Sequence, residues 1–107
     1  MLDFFEKVWH VNRSLPAHRR LRIVLVDMER PWKDIERGSD WRRYKVDRNQ
    51  FMAENILRDM REHPEDDRSG LFIVGAAHAA LNLKRGGGEP HKTAGWHLRE
   101  DLGSDQV

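Results

Sequence analysis

The sequence contains no cysteine among its 107 residues. Without thiols the chain cannot form disulfide bonds or thiolate metal sites. It also lacks an apolar run near the ~18 residues that a membrane span requires, so no membrane partner is expected. The N-terminal stretch MLDFFEKVWH is acidic and amphipathic, unlike a signal peptide. A cytoplasmic location is therefore the default expectation.

The sequence also lacks an excess of either positive or negative charge. The 19 basic and 18 acidic residues are interspersed and leave a net charge of +1. A nucleic-acid-binding domain usually carries a clustered basic face, so no nucleic-acid partner is expected. The apolar fraction of 38% is sufficient for a small core, but not for a generous one. The length allows at most one domain of ordinary size.

Three stretches have the patterns of helices. Residues 2–12 place apolar side chains at the spacing of one helical face. Asp47 is a good N-cap for a second helix, which Pro64 would end. A third helix is expected after Thr93, which could cap it, and Gly103 suits the position just past its end.

Two apolar stretches, LRIVLVD at residues 21–27 and LFIV at residues 71–74, predict strands covered on both faces. The order helix, strand, helix, strand, helix implies a parallel pair with a right-handed crossover. The expected fold class is α/β, with a partial parallel sheet and flanking helices. Because two strands do not make a stable sheet, residues 1–107 are expected to form part of a larger α/β domain, completed by a missing N-terminal half or a second copy. Residues 84–92 are expected to form a flexible glycine-rich loop.

Candidate site residues follow the two predicted strands. Asp27 ends the first strand and His78 lies just past the second, where ligands bind in parallel sheets. His78 could act as a general base oriented by Asp27, or both could bind a divalent metal. Arg48, in the first turn of its helix, opposes the helix dipole and could hold an anion. The alternatives are a hydrogen-bonded loop histidine, a turn-capping aspartate, and an ion pair of Arg48 with Asp27 or Glu29.

Several segments together resemble the second half of a known superfamily. DRNQFMAENIL, followed by LFIVGAAHA and then TAGWHLREDLG, is similar to erythromycin-esterase-like hydrolases, Tiki-type metalloproteases and ChaN-like haem-uptake proteins. In those families an arginine-bearing helix start precedes a strand that ends in a histidine. The upstream NRSLPAHRRLRIVLVD also resembles a helix that leads into a strand ending in Asp. The resemblance extends over residues 4–105.

The resemblance implies an α/β fold with its site at the strand ends. It implies that His78 corresponds to the family's histidine, Arg48 to its helix-start arginine and Asp27 to its strand-end acid. The implied function is hydrolysis of a small-molecule or peptide substrate, as in esterases or metallopeptidases, with His78 as general base or metal ligand. The ChaN-like members imply an alternative, in which His78 binds haem or another small ligand without catalysis.

The sequence also departs from that family pattern. The histidine motif of the family's first half and its nearby glutamate are absent. Ala80 and Leu81 stand where the esterase pattern has a second histidine. The site is therefore expected to be incomplete in this chain. A further alternative is a degenerate chain that serves as an interaction module.

Overall fold

A computed structural model describes residues 2–29, 31–43, 47–81, 83–84, 88–105 and 107. Within these ranges the chain is mostly helical. Its helices are α1 (Leu2–Ser14), α2 (Arg48–Glu62), α3 (Ala76–Ala79) and α4 (Ala94–Leu102). Short 3₁₀ turns cover Ala17–Arg19, Trp32–Asp34 and Gly38–Arg43, and two extended pieces are β1 (Leu83–Lys84) and β2 (Pro90–His91).

The three helices expected from the sequence are confirmed as α1, α2 and α4. Asp47 caps α2, and Thr93 caps α4 by accepting a hydrogen bond from the backbone N–H of Trp96 at 2.9 Å. Gly103 follows α4 with a φ of 88°, a left-handed conformation that favours glycine. Helices α2 and α4 begin at their predicted caps because caps act on adjacent backbone groups. Helix α1 continues to Ser14, two residues beyond the predicted range.

The core lies between α2 and α4, the two helices with the most extensive mutual contact. Its buried residues and the half-buried ones packed against them are Ala53, Leu57 and Leu98, with Ile56, Phe72 and Leu102. Met52 and Ala94 are also buried, at 1% and 0% exposure. Removal of this apolar surface from water is the main contribution that holds the two helices together.

The expected α/β fold with a partial parallel sheet is wrong. Residues 21–27 and 71–74 are in no strand, and the chain is mostly helical where it is described. The extended pairing among the described residues joins β1 to β2, antiparallel and two residues long on each side. A pairing this short does not form a sheet of the expected kind.

Side chains form hydrogen bonds with backbone groups of residues 21–27, the segment predicted as the first strand. The Asn12 side chain donates to Leu21 O at 2.9 Å and accepts from Leu21 N at 2.7 Å. The Asn55 side chain donates to Val26 O at 2.9 Å, which fastens this segment to α2. These bonds satisfy part of the segment's backbone in place of a strand ladder, so the apolar run alone does not produce a strand.

The predicted flexible loop at residues 84–92 lies partly outside the described residues, which omit 85–87. On either side of it, Leu83 is opposite His91 and Lys84 is opposite Pro90. Across the described ranges, no helix has both the length and the apolar character needed to cross a bilayer.

Candidate functional site

The N-terminus of α2 carries two of the side chains that form the candidate site. The Asp47 carboxylate accepts hydrogen bonds from the backbone N–H groups of Asn49 at 3.0 Å and Gln50 at 3.2 Å. A cap of this kind fixes the first turn of a helix, because it satisfies N–H groups that have no partner within the helix. Arg48 and Asn49 therefore project from an ordered turn.

Arg48 forms a two-pronged ion pair with Asp27. Its Nε donates to one carboxylate oxygen at 2.8 Å, and its terminal nitrogen donates to the other at 2.6 Å. The hydrogen bonds that Arg48 donates to Asp27 raise the pKa of Arg48 above its ordinary value, so the guanidinium stays charged. The two side chains are 36% and 44% exposed, and solvent screening therefore limits what the pair adds to stability. Of the alternatives that the sequence left open for Arg48, the structure has the ion pair with Asp27.

His78 contacts Asn49 across the chain. The ring Nδ1 lies 2.7 Å from Asn49 Oδ1. The same oxygen accepts a hydrogen bond from the backbone N–H of Ala94, the first residue of α4, at 3.2 Å. Asn49 thus joins the start of α2, the histidine and the start of α4.

This contact determines which ring nitrogen of His78 carries the proton. The backbone N–H of Ala94 can only donate, so the Asn49 atom that it meets must be the carbonyl oxygen. An oxygen without a hydrogen requires His78 Nδ1 to be the donor. In the neutral imidazole the other nitrogen, Nε2, then keeps its lone pair, which is the form needed by a base or a metal ligand.

The histidine is presented by a short turn fastened to α4. The backbone N–H of His78 donates to Gly75 O at 2.8 Å, which closes the turn. The fully buried Thr93 donates from its hydroxyl to Ala80 O while it caps α4. Gly95 allows the close approach, because a Cβ there would overlap Ala79 O. The half-buried His78 ring is therefore held between two helix starts.

The structure brings the three predicted site residues to one end of α2, but with different partners. Asp27 contacts Arg48, and the group that orients His78 is Asn49. Asn49 was not among the site residues predicted from the sequence, because its side chain could equally have faced solvent. A usable signal existed, since an amide one residue past a candidate arginine lies in the same capped turn and can reach a neighbouring element.

Few side chains at this site could bind a metal ion or a cofactor. Among the described residues, no three or more His, Asp or Glu side chains are grouped so that they could hold a metal ion. A divalent ion at His78 and Asp27 would compete with Arg48 for the carboxylate. Two clefts in the described surface are lined mainly by charged side chains, and neither includes His78. A haem pocket is normally apolar, so these clefts do not fit one.

Comparisons with known proteins give no relative. No protein-family model matches the chain, and no curated protein or solved structure is significantly similar to it.

Proposed function

We propose that this chain carries the general base of a hydrolytic site, with His78 as the catalytic residue. The observation that supports this most directly is the bond from His78 Nδ1 to Asn49 Oδ1, which leaves Nε2 as the proton acceptor. An imidazole whose second nitrogen is anchored in this way is suited to general base catalysis. In this proposal Asn49 takes the orienting role and acts as a positioning residue.

The proposed reaction is the attack of water on an ester carbonyl. Nε2 of His78 removes a proton from the water as the water oxygen forms a bond to the carbonyl carbon, and the C=O electron pair moves to oxygen. The tetrahedral intermediate then collapses and its bond to the leaving alcohol breaks. The leaving alkoxide takes the proton back from Nε2, so protons and charge balance.

Arg48 is proposed to bind the developing negative charge or a substrate anion. A guanidinium has five N–H donors, and Asp27 uses two of them. The remaining donors and the retained positive charge support this role. Asp27 is then a positioning residue, because it fixes the plane of the guanidinium and does not contact the reacting atoms.

Hydrolysis of p-nitrophenyl acetate, an activated ester, tests the proposal. We expect His78→Ala to lower the rate by about 10²–10⁴-fold, the usual contribution of a positioned general base. His91→Ala is the matched control, because an exposed imidazole can react with this ester without a site. Equal rates for His78→Ala and the unaltered chain would overturn the proposal.

The orienting role of Asn49 has its own test. Asn49→Ala removes the acceptor and should lower the rate and also mix the two tautomers of His78. Asn49→Asp keeps an acceptor oxygen and should restore both. Two-bond ¹H–¹⁵N correlation spectra report the tautomer directly. A His78 ring protonated at Nε2 in the unaltered chain would contradict the proposed geometry, whatever the rates.

Haem binding through His78 is the alternative. The same free Nε2 favours it, because metal-bound imidazoles usually donate their other N–H to an oxygen acceptor. The two charged clefts do not include His78, so neither offers a haem pocket at that residue. Titration with haem separates the two functions. A Soret shift that is lost in His78→Ala would favour haem, and an unchanged haem spectrum would remove the alternative.

A further inference from the structure

Thr93 is a buried polar residue between α4 and the His78 turn. It is 0% exposed. Its hydroxyl donates to Ala80 O and accepts from the backbone N–H of Trp96 at 2.9 Å, so the group both donates and accepts. Ala80 follows the last residue of α3, and Trp96 lies in the first turn of α4. One hydroxyl therefore fastens the end of the His78 turn to the start of α4.

The residue after Thr93 continues this connection to α2. Ala94 is the first residue of α4 and is 0% exposed. Its N–H has no partner within the helix, as at any helix start, and it donates to Asn49 Oδ1 at 3.2 Å. A buried N–H that loses its acceptor destabilises the folded chain. The N–H of Ala94 therefore requires an oxygen at the position where the Asn49 amide lies.

The side-chain amide of Asn49 has two possible orientations. In the observed one, its oxygen meets both the Ala94 N–H and His78 Nδ1, and Nδ1 carries the proton. Rotation of the amide by half a turn would present its NH₂ group instead. That group donates, so it would leave the Ala94 N–H unpaired and favour a His78 ring protonated at Nε2. The position of the Ala94 N–H thus selects the tautomer of His78.

We propose that Thr93 is a positioning residue for His78 and acts by holding the Ala94 N–H against Asn49. Its two hydrogen bonds fix the start of α4 relative to the turn that carries His78. This role rests on the proposed function, since the lone pair of His78 Nε2 matters for catalysis only if that nitrogen is the base. The tautomer itself is measured without a substrate, so the positioning and the hydrolysis are tested separately.

Two-bond ¹H–¹⁵N correlation spectra of the full chain, recorded where histidine rings are neutral, test the role of Thr93. Thr93→Val keeps the shape of the side chain and removes the hydroxyl. We expect His78 to change from protonation at Nδ1 to a mixture of tautomers. The hydrolysis of p-nitrophenyl acetate should slow about twofold or more, as the competent fraction falls. Thr93→Ser keeps the hydroxyl and should restore both. A His78 ring that stays protonated at Nδ1 in Thr93→Val would overturn the proposal.

Failure of this role and failure of the proposed function give different results. If His78→Ala leaves ester hydrolysis unchanged while Thr93→Val mixes the tautomers, the function fails and the positioning by Thr93 stands. If His78→Ala abolishes hydrolysis while Thr93→Val keeps one tautomer, His78 remains the base and the role of Thr93 is overturned.

Leu102→Ala is the control for a general loss of stability. Leu102 packs against the core at the opposite end of α4 from Thr93. We expect this variant to unfold at a lower urea concentration and to keep the His78 tautomer of the unaltered chain. A mixed tautomer in Leu102→Ala would mean that any loosening of α4 has this effect, and it would overturn a specific role of Thr93.

A change at Asn49 tests whether Thr93 acts through this residue. A carboxylate presents an oxygen in either orientation, so the side chain in Asn49→Asp cannot donate to His78. Added to Asn49→Asp, the Thr93→Val change should therefore leave His78 protonated at Nδ1. A tautomer change of the same size with and without Asn49→Asp would show that Thr93 acts by another path.

Hydrogen exchange at Ala94 keeps the proposal testable if Thr93→Val does not fold. The bond to Asn49 should protect the Ala94 N–H in the unaltered chain, and Asn49→Ala should speed its exchange about tenfold or more. Equal exchange rates in the two chains would mean that Ala94 does not donate to Asn49. The proposed role of Thr93 would then be overturned without any variant of Thr93 itself.

Discussion

Helices α2 and α4 bury their apolar side chains, whereas the apolar segments at residues 21–26 and 71–74 leave many of theirs in water. Met52 and Ala53 are each 1% exposed, but Leu25 and Leu71 are 81% and 86% exposed. Hydrophobicity therefore does not distinguish the two regions. The difference is in how each region satisfies its backbone.

A helix satisfies its backbone within itself, apart from its two ends. Asp47 and Thr93 supply the missing partners at the starts of α2 and α4, so these helices need only one covered face. An extended segment instead needs a neighbour along its edge and cover on its faces. The described chain provides residues 71–74 with one covered face and no neighbour.

The largest effect should come from the core of the helical pair. Met52→Ala removes a side chain that is 1% exposed and leaves a cavity, so we expect a loss of about 2–5 kcal/mol in the free energy of unfolding. Met60→Ala, on the same helix but 47% exposed, is the control and should change stability much less. Urea unfolding measures both. Equal losses would mean that α2 does not face the core as described.

A smaller loss is expected where α4 meets the His78 turn. The added Cβ of Gly95→Ala would overlap Ala79 O and crowd Leu81 Cδ2 at 3.3 Å. We expect destabilisation of about 1–3 kcal/mol despite the better helix propensity of alanine. Gly70→Ala meets no atom within 4 Å and should have little effect. A Gly95→Ala chain as stable as the unaltered one would show that this contact is loose.

The sequence predicted the helices because their determinants are local. The caps at Asp47 and Thr93 and the stop at Gly103 act within a few residues, and the structure confirms all three. The prediction of two strands was wrong because strand pairing depends on partners that are distant in the sequence. Nothing in LRIVLVD shows that Asn12 and Asn55 side chains would bond to its backbone.

His78, Asp27 and Arg48 were chosen because each follows or begins a predicted element, but residues 21–27 and 71–74, the predicted strands before Asp27 and His78, are in no strand. All three residues nevertheless lie near the start of α2, with contacts that the sequence did not predict. The pairing of Asp27 with Arg48 and of His78 with Asn49 depends on distances between elements. Those distances follow from the packing of the turn around His78 on α4, to which Gly95 and Thr93 contribute.

The cap of α2 should have an intermediate effect. Asp47→Ala leaves the N–H groups of Asn49 and Gln50 without their acceptor, and we expect a loss of about 1 kcal/mol. Asp47→Asn keeps an acceptor oxygen and should recover most of that loss. Thermal unfolding compares the three chains. If asparagine fails to restore stability, the contribution of Asp47 comes from its charge at the helix N-terminus and not from capping.

The smallest effect concerns the ion pair of Arg22 with Asp59, which joins the first apolar segment to α2. Hydrogen bonding by Arg22 holds the pKa of Asp59 below its ordinary value. Hydrogen bonding by Arg68, with a smaller contribution from Arg22, does the same for the pKa of Asp66, which follows the helix. Because these pKa values are lower in the folded chain, the stabilisation is complete above the ordinary value of about 4. It is lost as the pH falls below that value, so Tm should decrease there.

Arg22→Gln tests this connection, since it removes the main partner of Asp59. We expect a shallower fall of Tm below about pH 4 in this variant and the normal fall in Arg61→Gln, where an exposed arginine of the last turn of α2 is changed. The difference should shrink in high salt, because these charges are exposed. Identical pH profiles for all three chains would mean that Arg22 does not fasten the segment to α2. In that case the Asn55 bond to Val26 would be the principal attachment, and the two regions would be more independent than these ion pairs indicate.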